Sequence, residues 1–409
     1  MVKSLVLWGA ACGLLLLCTG CWDSTEINQL AIVTASACDL APQKSPAKIQ
    51  RGHSVLASVQ IVVPALLLGG QSQSGVPSGG SQGAFITESD TGPSPGSALL
   101  PIVKRLSRRF FLEDRRVIIL GEPYAAKGIS ELLDEMTRNP SGRLRSILVV
   151  AHHGRGLDIL KLNYPLNRIP ADAILELEES RSFVATNLVQ FIKLMTDGGD
   201  PYAMGIAPIT KKPAPNQIPF TMDNVAVFRR DRMVGWLTKE ETAGFYLIYE
   251  QANNMRFAMN AIAMPGYSGT ITSVLTHTQS SISPVLQNHK LVMLVHVKLS
   301  NQIIENGTSL NLDHIEDQLL YQHQLHQHIY RQIATAINAL QHKYDADCLQ
   351  FGKKIHEYFP HQWHALAPHW HDVFPKITPK IYVDIALPGS GNLSAPIFEH
   401  QQKPRSGGK

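Results

Sequence analysis

Two patterns of apolar residues alternate along the N-terminal half of the chain. Short apolar runs at 28–40, 54–63, 116–120 and 146–151 predict β-strands, and the first two, joined by a polar loop, predict a hairpin or adjacent strands. Stripes at three- and four-residue spacing predict helices from Ser97 and over 129–138. The strand–helix–strand order within 116–151 predicts a βαβ unit, so part of the sheet should be parallel or mixed.

A longer helix is predicted to start near Asp172, whose side chain can cap the free N–H groups of the first turn. We expect this helix to pack on the core and to end at 198–201. Its apolar stripe consists of Ile174, Leu177, Val184, Leu188, Phe191 and Met195. The Gly- and Ser-rich segment 69–83 predicts a flexible loop, since it lacks the GK[ST] ending of a phosphate-binding loop. The Pro-rich segment 211–219 indicates a domain boundary close to residue 200.

The longest predicted element lies in the C-terminal half. Strands at 223–228 and 232–237 flank a polar turn and predict a β-hairpin, and further strands are expected at 269–275 and 291–299. A helix of roughly eight turns is predicted over 313–344. Its expected buried stripe is Ile315, Leu319, Ile329, Ile333, Ile337, Leu340 and Tyr344. Downstream, Trp363, Trp370 and Phe374 are interpreted as core residues, with a partner-docking surface as the alternative.

The first residues have the layout of an export signal. Lys3 precedes an apolar run at 5–17, which is shorter than the roughly 20 residues that span a bilayer. Gly20 before Cys21 predicts cleavage at this point and a diacylglycerol on the Cys21 sulfur, although Cys18 stands where a Leu is expected. The alternatives are an ordinary secretory signal and a membrane-retained segment. Each buried CH₂ contributes about 0.8 kcal/mol, so two or more acyl chains would hold the chain on the outer face of a membrane.

Composition narrows the class of protein without naming a chemistry. The hydrophobic content of 44% and the charged content of 17% fit globular domains, and a formal net charge of +4 does not indicate a nucleic-acid partner. Once the signal is removed and Cys21 is modified, Cys38 and Cys348 remain; we interpret them as buried apolar residues, with a disulfide as the alternative. Trp22 would lie at the membrane interface or pack on the first strand.

Histidine is the one residue type in clear excess, with 17 in the chain. Its clusters are His323, His326 and His328 on the long helix and His361, His364, His369 and His371 near the C-terminus. Imidazoles at such spacing could hold zinc. Because Asp372 is the one neighbouring ligand of another type, we prefer surface or half-buried polar positions and predict no metal site. No HExxH motif occurs, and we predict neither a catalytic residue nor a cofactor.

A basic edge accompanies the helix that begins near Ser97. It consists of Lys104, Arg105, Arg108, Arg109, Arg115 and Arg116. These side chains could face anionic lipid or an acidic partner loop, since each charge near an anionic surface is worth about 1 kcal/mol. A solvated face is the simpler interpretation.

Several segments, in this order, carry a family resemblance. They are GCWDSTEINQLAIVTASACDL at 20–40, SVQIVVP at 58–64, the strand ending in Gly121-Glu122, VAVFRRDRMVGWL at 225–237, and the run 343–360 followed by Trp363, Trp370 and Phe374-Pro375. Together they resemble the Ger(x)C family, the lipoprotein C subunits of the nutrient germinant receptors of bacterial spores. The chain departs from the family pattern at Cys18 and at Cys348, where an aromatic–Gly pair is usual.

The resemblance implies a three-domain α+β protein of mixed sheets with flanking helices. The expected division is a signal peptide at 1–20, an N-terminal α/β domain at 21–200, a middle domain at 201–275, a C-terminal α+β domain with the long helix at 276–390, and a disordered tail at 391–409. It also implies attachment through Cys21 to the outer face of the spore inner membrane. It further implies work with a polytopic A subunit and a transporter-like B subunit in nutrient-triggered germination, and no catalytic activity.

A second hypothesis is a solute-binding lipoprotein that feeds a transporter. Such a protein would share the lipid anchor and an α/β layout in two lobes. It would place a ligand pocket between two similar lobes, whereas the two halves of this sequence are dissimilar.

Overall fold

A computed structural model describes residues 26–42, 54–64, 84–139, 142, 144–179, 185–209, 217–222, 224–249, 259–288 and 290–386. Within these residues the chain forms two β-sheets, one of eleven strands and one of four, with helices packed on them. Both sheets contain parallel and antiparallel pairs. The predicted α+β class with mixed sheets and a long helix near the C-terminus is therefore confirmed.

The larger sheet contains the first eleven strands. They are β1 (Leu30–Leu40), β2 (Val55–Val62), β3 (Phe85–Gly92), β4 (Arg109–Phe111), β5 (Val117–Gly121), β6 (Ile147–Ala151), β7 (Thr186–Asn187), β8 (Tyr202–Pro208), β9 (Phe220–Thr221), β10 (Val225–Arg229) and β11 (Arg232–Trp236). The order along the sheet is β11-β10-β8-β6-β5-β1-β2-β3, with β4, β7 and β9 pairing beside β1, β6 and β8.

The centre of this sheet is parallel. Strands β1, β5, β6 and β8 run in the same direction, which confirms the βαβ unit, while β1 with β2 and β10 with β11 are antiparallel, as the patterns predicted. Every residue of β5 and β6 is buried. Parallel strands buried on both faces have continuous apolar sequences, which is why these two were recognisable.

The helices of this half are α1 (Pro95–Arg105), α2 (Glu122–Lys127), α3 (Ser130–Arg138), α4 (Gly156–Leu160), α5 (Pro170–Glu179) and α6 (Leu188–Thr196). Capping boxes start α1 at Ser94 and α6 at Asn187, because each cap side chain accepts a backbone N–H of the first turn. Helices α2, α3 and α6 share an apolar cluster with one face of the sheet.

The second sheet consists of β12 (Met259–Ala263), β13 (Thr270–Gln287), β14 (Lys290–Asn306) and β15 (Thr378–Ala386), in that order. β13 and β14 extend well beyond the predicted 269–275 and 291–299, because their outward positions are polar and break the apolar pattern. Helices α7 (Lys239–Ile248) and α8 (Ile315–Asn338) share one apolar core with this sheet and with the larger one.

The long helix differs from its predicted stripe in its first turns. Ile315 is 70% exposed and Leu319 is 57% exposed, whereas Tyr321 and Leu325 are buried. Ten residues separate Leu319 from Ile329, which at 3.6 residues per turn places them about 80° apart around the axis. The helix therefore buries the face defined from Ile329 onward, and it ends in a π-helical turn, Ala339–Lys343.

The prediction of a single helix from Asp172 to residues 198–201 is wrong. Two helices, α5 and α6, occupy this part of the chain, and Thr186–Asn187 between them pairs with β6. Asp172 lies inside α5 rather than at its N-cap, and its carboxylate accepts a hydrogen bond from Arg116 at 2.6 Å. The larger sheet continues past residue 200 through β8 and β10, so the division at 200 and 275 stays a prediction.

The remaining short helices are α9 (Phe351–Tyr358), α10 (Pro360–Leu366) and α11 (Trp370–Val373). They carry the predicted aromatic cluster, in which Trp363, Trp370 and Phe374 are 8%, 5% and 1% exposed. The core interpretation of these three residues is therefore confirmed.

Candidate functional surfaces

The predicted lipidation site lies outside the described residues. Cys21 and Trp22 precede residue 26, where the description begins, so the lipid attachment remains a prediction. No helix in the described part of the chain is both long and apolar enough to cross a bilayer.

One buried polar site among the described residues is centred on Asp347. Its side chain is 1% exposed, and its carboxylate accepts hydrogen bonds from Phe351 N at 2.9 Å, Gly352 N at 2.7 Å and Trp370 Nε1 at 3.1 Å. The loop before α9 therefore turns around one carboxylate. Gln350, at φ +61°, provides the left-handed residue that this turn requires.

Asp200 ties this loop to the larger sheet. Its Oδ2 accepts from Asp347 N at 2.9 Å, its Oδ1 accepts from Arg230 N at 2.8 Å, and its own N donates to Asp347 O at 3.1 Å. The two bonds between Asp200 and Asp347 join residues 147 positions apart in the sequence. Gln350 adds a bond from its Nε2 to Leu194 O at 3.3 Å. We call this set, Asp200 with Asp347 and Gln350, the Asp347 junction.

Glycines allow the two sides of the Asp347 junction to approach. A Cβ on Gly198 would lie 2.6 Å from Trp363 Cζ2, and a Cβ on Gly199 would lie 2.1 Å from Gln350 Nε2. A Cβ on Gly352 would lie 2.6 Å from Gly198 O. The motif at 198–201, predicted as a helix stop at a domain boundary, is thus a close packing contact.

Burial dominates the electrostatics of the junction. Removal from water raises the pKa of Asp347 to about 8, although the N–H bonds from Gly352 and Phe351 act in the opposite direction. The pKa of Asp200 is also raised, mainly by burial. Neither carboxylate was predicted from the sequence. The available signal was an Asp beside Gly for Asp200 and an Asp in a polar segment for Asp347, which is weak because many exposed turns share it.

A second group of polar and aromatic residues lies where β5 and β6 end. Glu122 Oε1 accepts from Trp236 Nε1 at 2.9 Å, and its Oε2 accepts from His153 N at 2.7 Å. The His152 ring stacks on His153 at 3.9 Å between centroids and tilts against Trp236 at 4.3 Å. Asn224 lies 3.1 Å from His152 Nδ1 through its amide nitrogen. We call these five residues the carboxyl-edge cluster.

The carboxyl-edge cluster explains the Gly121-Glu122 motif. A Cβ on Gly121 would lie 2.1 Å from Asp39 Oδ1, and the Asp39 carboxylate accepts from Gly156 N at 2.7 Å and Leu157 N at 3.0 Å. Gly121 therefore leaves room for Asp39, while Glu122 fixes Trp236 and the His153 backbone. Carboxyl ends of parallel strands commonly carry functional side chains, which is the signal that could have identified this cluster.

The predicted histidine clusters do not converge. His323, His326, His361, His364 and His369 are exposed, and His328 and His371 are half-buried. Burial lowers the pKa of His328. Within the described part of the chain, no group of three or more His, Cys, Asp or Glu side chains could hold a metal ion.

The predicted basic edge is divided between surface and interior. Arg105 pairs with Asp90 at 2.5 Å and with Glu88 at 3.4 Å, and Arg116 pairs with Asp114 and Asp172. Arg115 is only 2% exposed, so its place on a surface edge was a wrong prediction. Its Nη2 lies 2.7 Å from Met136 Sδ, and burial lowers its pKa. Lys104, Arg108 and Arg109 are exposed.

Cys38 and Cys348 are both buried, which confirms their interpretation as buried apolar residues. Both thiols are free, so the alternative of a disulfide between them is wrong. Burial raises the pKa of Cys38 to about 12. A thiol in this state is inert toward oxidants and metals.

Known protein families and individual proteins match almost the whole described chain. The family model described as spore germination protein N-terminal domain matches residues 23–208, and the model described as spore germination B3/GerAC like, C-terminal, matches residues 223–391. The putative spore germination protein YfkR of Bacillus subtilis (strain 168) is 27% identical, with 92% of this chain and 94% of YfkR aligned. Spore germination protein KC of the same strain is 22% identical over 94% of this chain and 95% of its own.

Among solved structures, the crystal structure of the GerBC protein has the same fold. Its TM-score is 0.53 at 17% identity, and the alignment covers 82% of this chain and 94% of GerBC. The fold and the two matched models define the class as spore germination proteins. The chain belongs to the Ger(x)C family, as the ordered motifs of its sequence indicated.

Proposed function

We propose that this protein is the lipid-anchored C subunit of a spore nutrient germinant receptor. In this role it supports the assembly and signalling of the receptor complex on the outer face of the spore inner membrane, together with an A and a B membrane subunit. It acts without catalysis. The observation that carries the proposal is the match of two spore germination models, in order, to residues 23–208 and 223–391.

The layout of the chain supports this function. An exported segment ending at Cys21 would leave a folded remainder beside a bilayer, and in that remainder the buried carboxylates of Asp200 and Asp347 are held by internal hydrogen bonds. A protein of this kind is suited to holding partners in place. Sheet faces and edges, rather than a reactive side chain, would then carry the function.

Deletion of the gene in the spore-forming host tests the receptor role. Spores without the protein should lose optical density more slowly, or not at all, when exposed to a panel of nutrients. The amounts of the A and B subunits in the inner membrane should fall. Normal nutrient germination together with normal receptor levels would contradict the proposal.

The lipid anchor has a separate test with a matched control. Mass spectrometry of the N-terminal peptide should find a diacylglycerol thioether on Cys21. Complementation with Cys21→Ala should fail to restore germination, whereas Cys12→Ala, a cysteine within the segment that is removed, should restore it. An unmodified thiol on Cys21 in the mature protein would refute the anchor.

The alternative of a solute-binding lipoprotein receives less support. Over the described residues the two sheets differ in strand number and in pairing, eleven strands against four, so they do not form two similar lobes. Nutrient-dependent thermal stabilisation of the isolated protein would favour this alternative.

A further inference from the structure

The solvent-exposed face of α1 carries apolar side chains. Leu100 is 60% exposed and Val103 is 39% exposed, and both lie on the same side of the helix as Lys104, since residues three and four apart are neighbours. The opposite side is buried through Ala98 and Ile102, which pack toward β2 and β3. Helix α1 thus has two apolar faces, of which one lacks a covering element among the described residues.

Basic and apolar side chains continue this face to the start of the sheet. α1 is followed by exposed Arg108 and by β4, in which Arg109 pairs directly with Leu30, the first residue of β1. Ile27, in the turn before β1, is 69% exposed. We call Ile27, Leu100, Val103, Lys104, Arg108 and Arg109 the α1 patch.

Three acidic residues near this patch, Glu88, Asp90 and Glu26, have hydrogen-bond partners. Arg105, at the end of α1, bonds to Asp90 and to Glu88, both on β3. Glu26 accepts a hydrogen bond from Asn28 Nδ2 at 3.0 Å. The patch therefore presents Lys104 and Arg108 beside apolar side chains, which is the composition of surfaces that lie in the headgroup region of anionic membranes.

The distance to the predicted anchor is short. Six residues lead from Cys21 to Ile27, and an extended chain spans at most about 3.6 Å per residue, so Ile27 lies within roughly 22 Å of the modified sulfur. The far end of β1 lies roughly 35 Å further along the strand direction, at about 3.3 Å per residue. A bilayer that holds Cys21 is thus within reach of Ile27, at one end of the α1 patch, and further from the far end of β1, where Gly156 of α4 donates to Asp39.

We infer that the α1 patch lies against the anionic phospholipid headgroups of the bilayer that holds Cys21. The contact orients the protein, with the start of β1 toward the membrane and the carboxyl-edge cluster away from it. This inference rests on the proposed function, because it requires the lipid on Cys21. It adds an assignment of the face that meets the lipid.

The test uses the full lipid-modified chain in vesicles. A fluorophore is attached at Leu100→Cys or, as the matched control, at Asp158→Cys on α4. Native Cys38 and Cys348 are buried and Cys21 is blocked, so the introduced thiol takes the label. Lipids with a nitroxide on the headgroup should quench the Leu100 label several-fold more than the Asp158 label in vesicles containing phosphatidylglycerol.

Charge reversal supplies the second arm. Lys104→Glu combined with Arg108→Glu should reduce quenching of the Leu100 label to the level of the Asp158 label. Equal quenching of both labels in the parent protein would overturn the inference, as would shielding of Leu100 only when receptor subunits are present. Vesicle flotation and the mass of the Cys21 peptide are read in the same samples. Failure of the anchor is therefore distinguished from failure of the orientation.

Discussion

Gly198 should tolerate a methyl group far less well than a glycine with similar backbone geometry elsewhere. Its φ is +93°, and a Cβ there would lie 2.6 Å from Trp363 Cζ2. Gly266 has φ +81° with nothing within 4 Å of its would-be Cβ. Left-handed backbone costs an L-residue roughly 1–2 kcal/mol, and overpacking a core adds roughly 1–3 kcal/mol.

We therefore expect Gly266→Ala to lower the free energy of unfolding by about 1–2 kcal/mol and Gly198→Ala by about 2–5 kcal/mol. Urea denaturation followed by tryptophan fluorescence measures both, with the slope on urea checked for constancy. The excess at Gly198 should shrink in a Trp363→Leu background, because the clashing ring is gone. Equal losses for the two alanine variants would refute the claim that Trp363 packs onto Gly198.

Further expectations concern charge, packing and thiols. Because burial raises the pKa of Asp347 to about 8 from an unfolded value near 3.9, the folded protein retains a proton that the unfolded chain releases. The contribution of Asp347 to the free energy of unfolding should therefore decline as pH rises from about 4 to 8, by up to about 1.4 kcal/mol per pH unit. Asp347→Asn should flatten this pH dependence, measured by urea titrations at several pH values. An unchanged pH dependence in the variant would contradict the raised pKa of Asp347. Leu325→Ala should cost roughly 2–5 kcal/mol in the same assay, whereas Leu319→Ala, on the exposed side of α8, should change stability by less than about 0.5 kcal/mol. Cys38 and Cys348 should react with a thiol reagent only after denaturant is added, and rapid reaction of the native protein would show that they are accessible. Micromolar zinc should produce no binding heat in calorimetry.

Local pattern was sufficient where local physics determines the structure. β5 and β6 were recognisable because both of their faces are covered, which leaves continuous apolar runs. The hairpin of β10 and β11 was recognisable because a polar turn separates two apolar runs, and Arg230 adopts φ +55° within it. The parallel pairing of β5 and β6 was also predictable, since a strand–helix–strand order implies parallel neighbouring strands.

The missed features depend on contacts between distant residues. Asp347 stands in a polar segment that resembles a surface turn, and it is buried because Asp200, 147 positions earlier, receives its N–H. Arg115 stands among exposed basic residues but is enclosed by Met136 of α3. On α8, the apolar periodicity predicts the buried face correctly from Ile329 onward, but Leu319 lies on a different face. Apolar residues at helical spacing do not show which of two apolar faces packs on the core.

The pairing of β8 with β10 has a practical consequence for dissecting the protein. The two spore germination models match residues 23–208 and 223–391 and leave a gap between them. Ala203 of β8 nevertheless pairs with Ala226 of β10, so one antiparallel strand pair connects the two matched regions. A gene fragment cut at that gap would carry an open strand edge on each product, and open edges recruit other chains into aggregates. Fragments for solution work should instead end beyond Trp236, where the hairpin that closes this side of the sheet is complete.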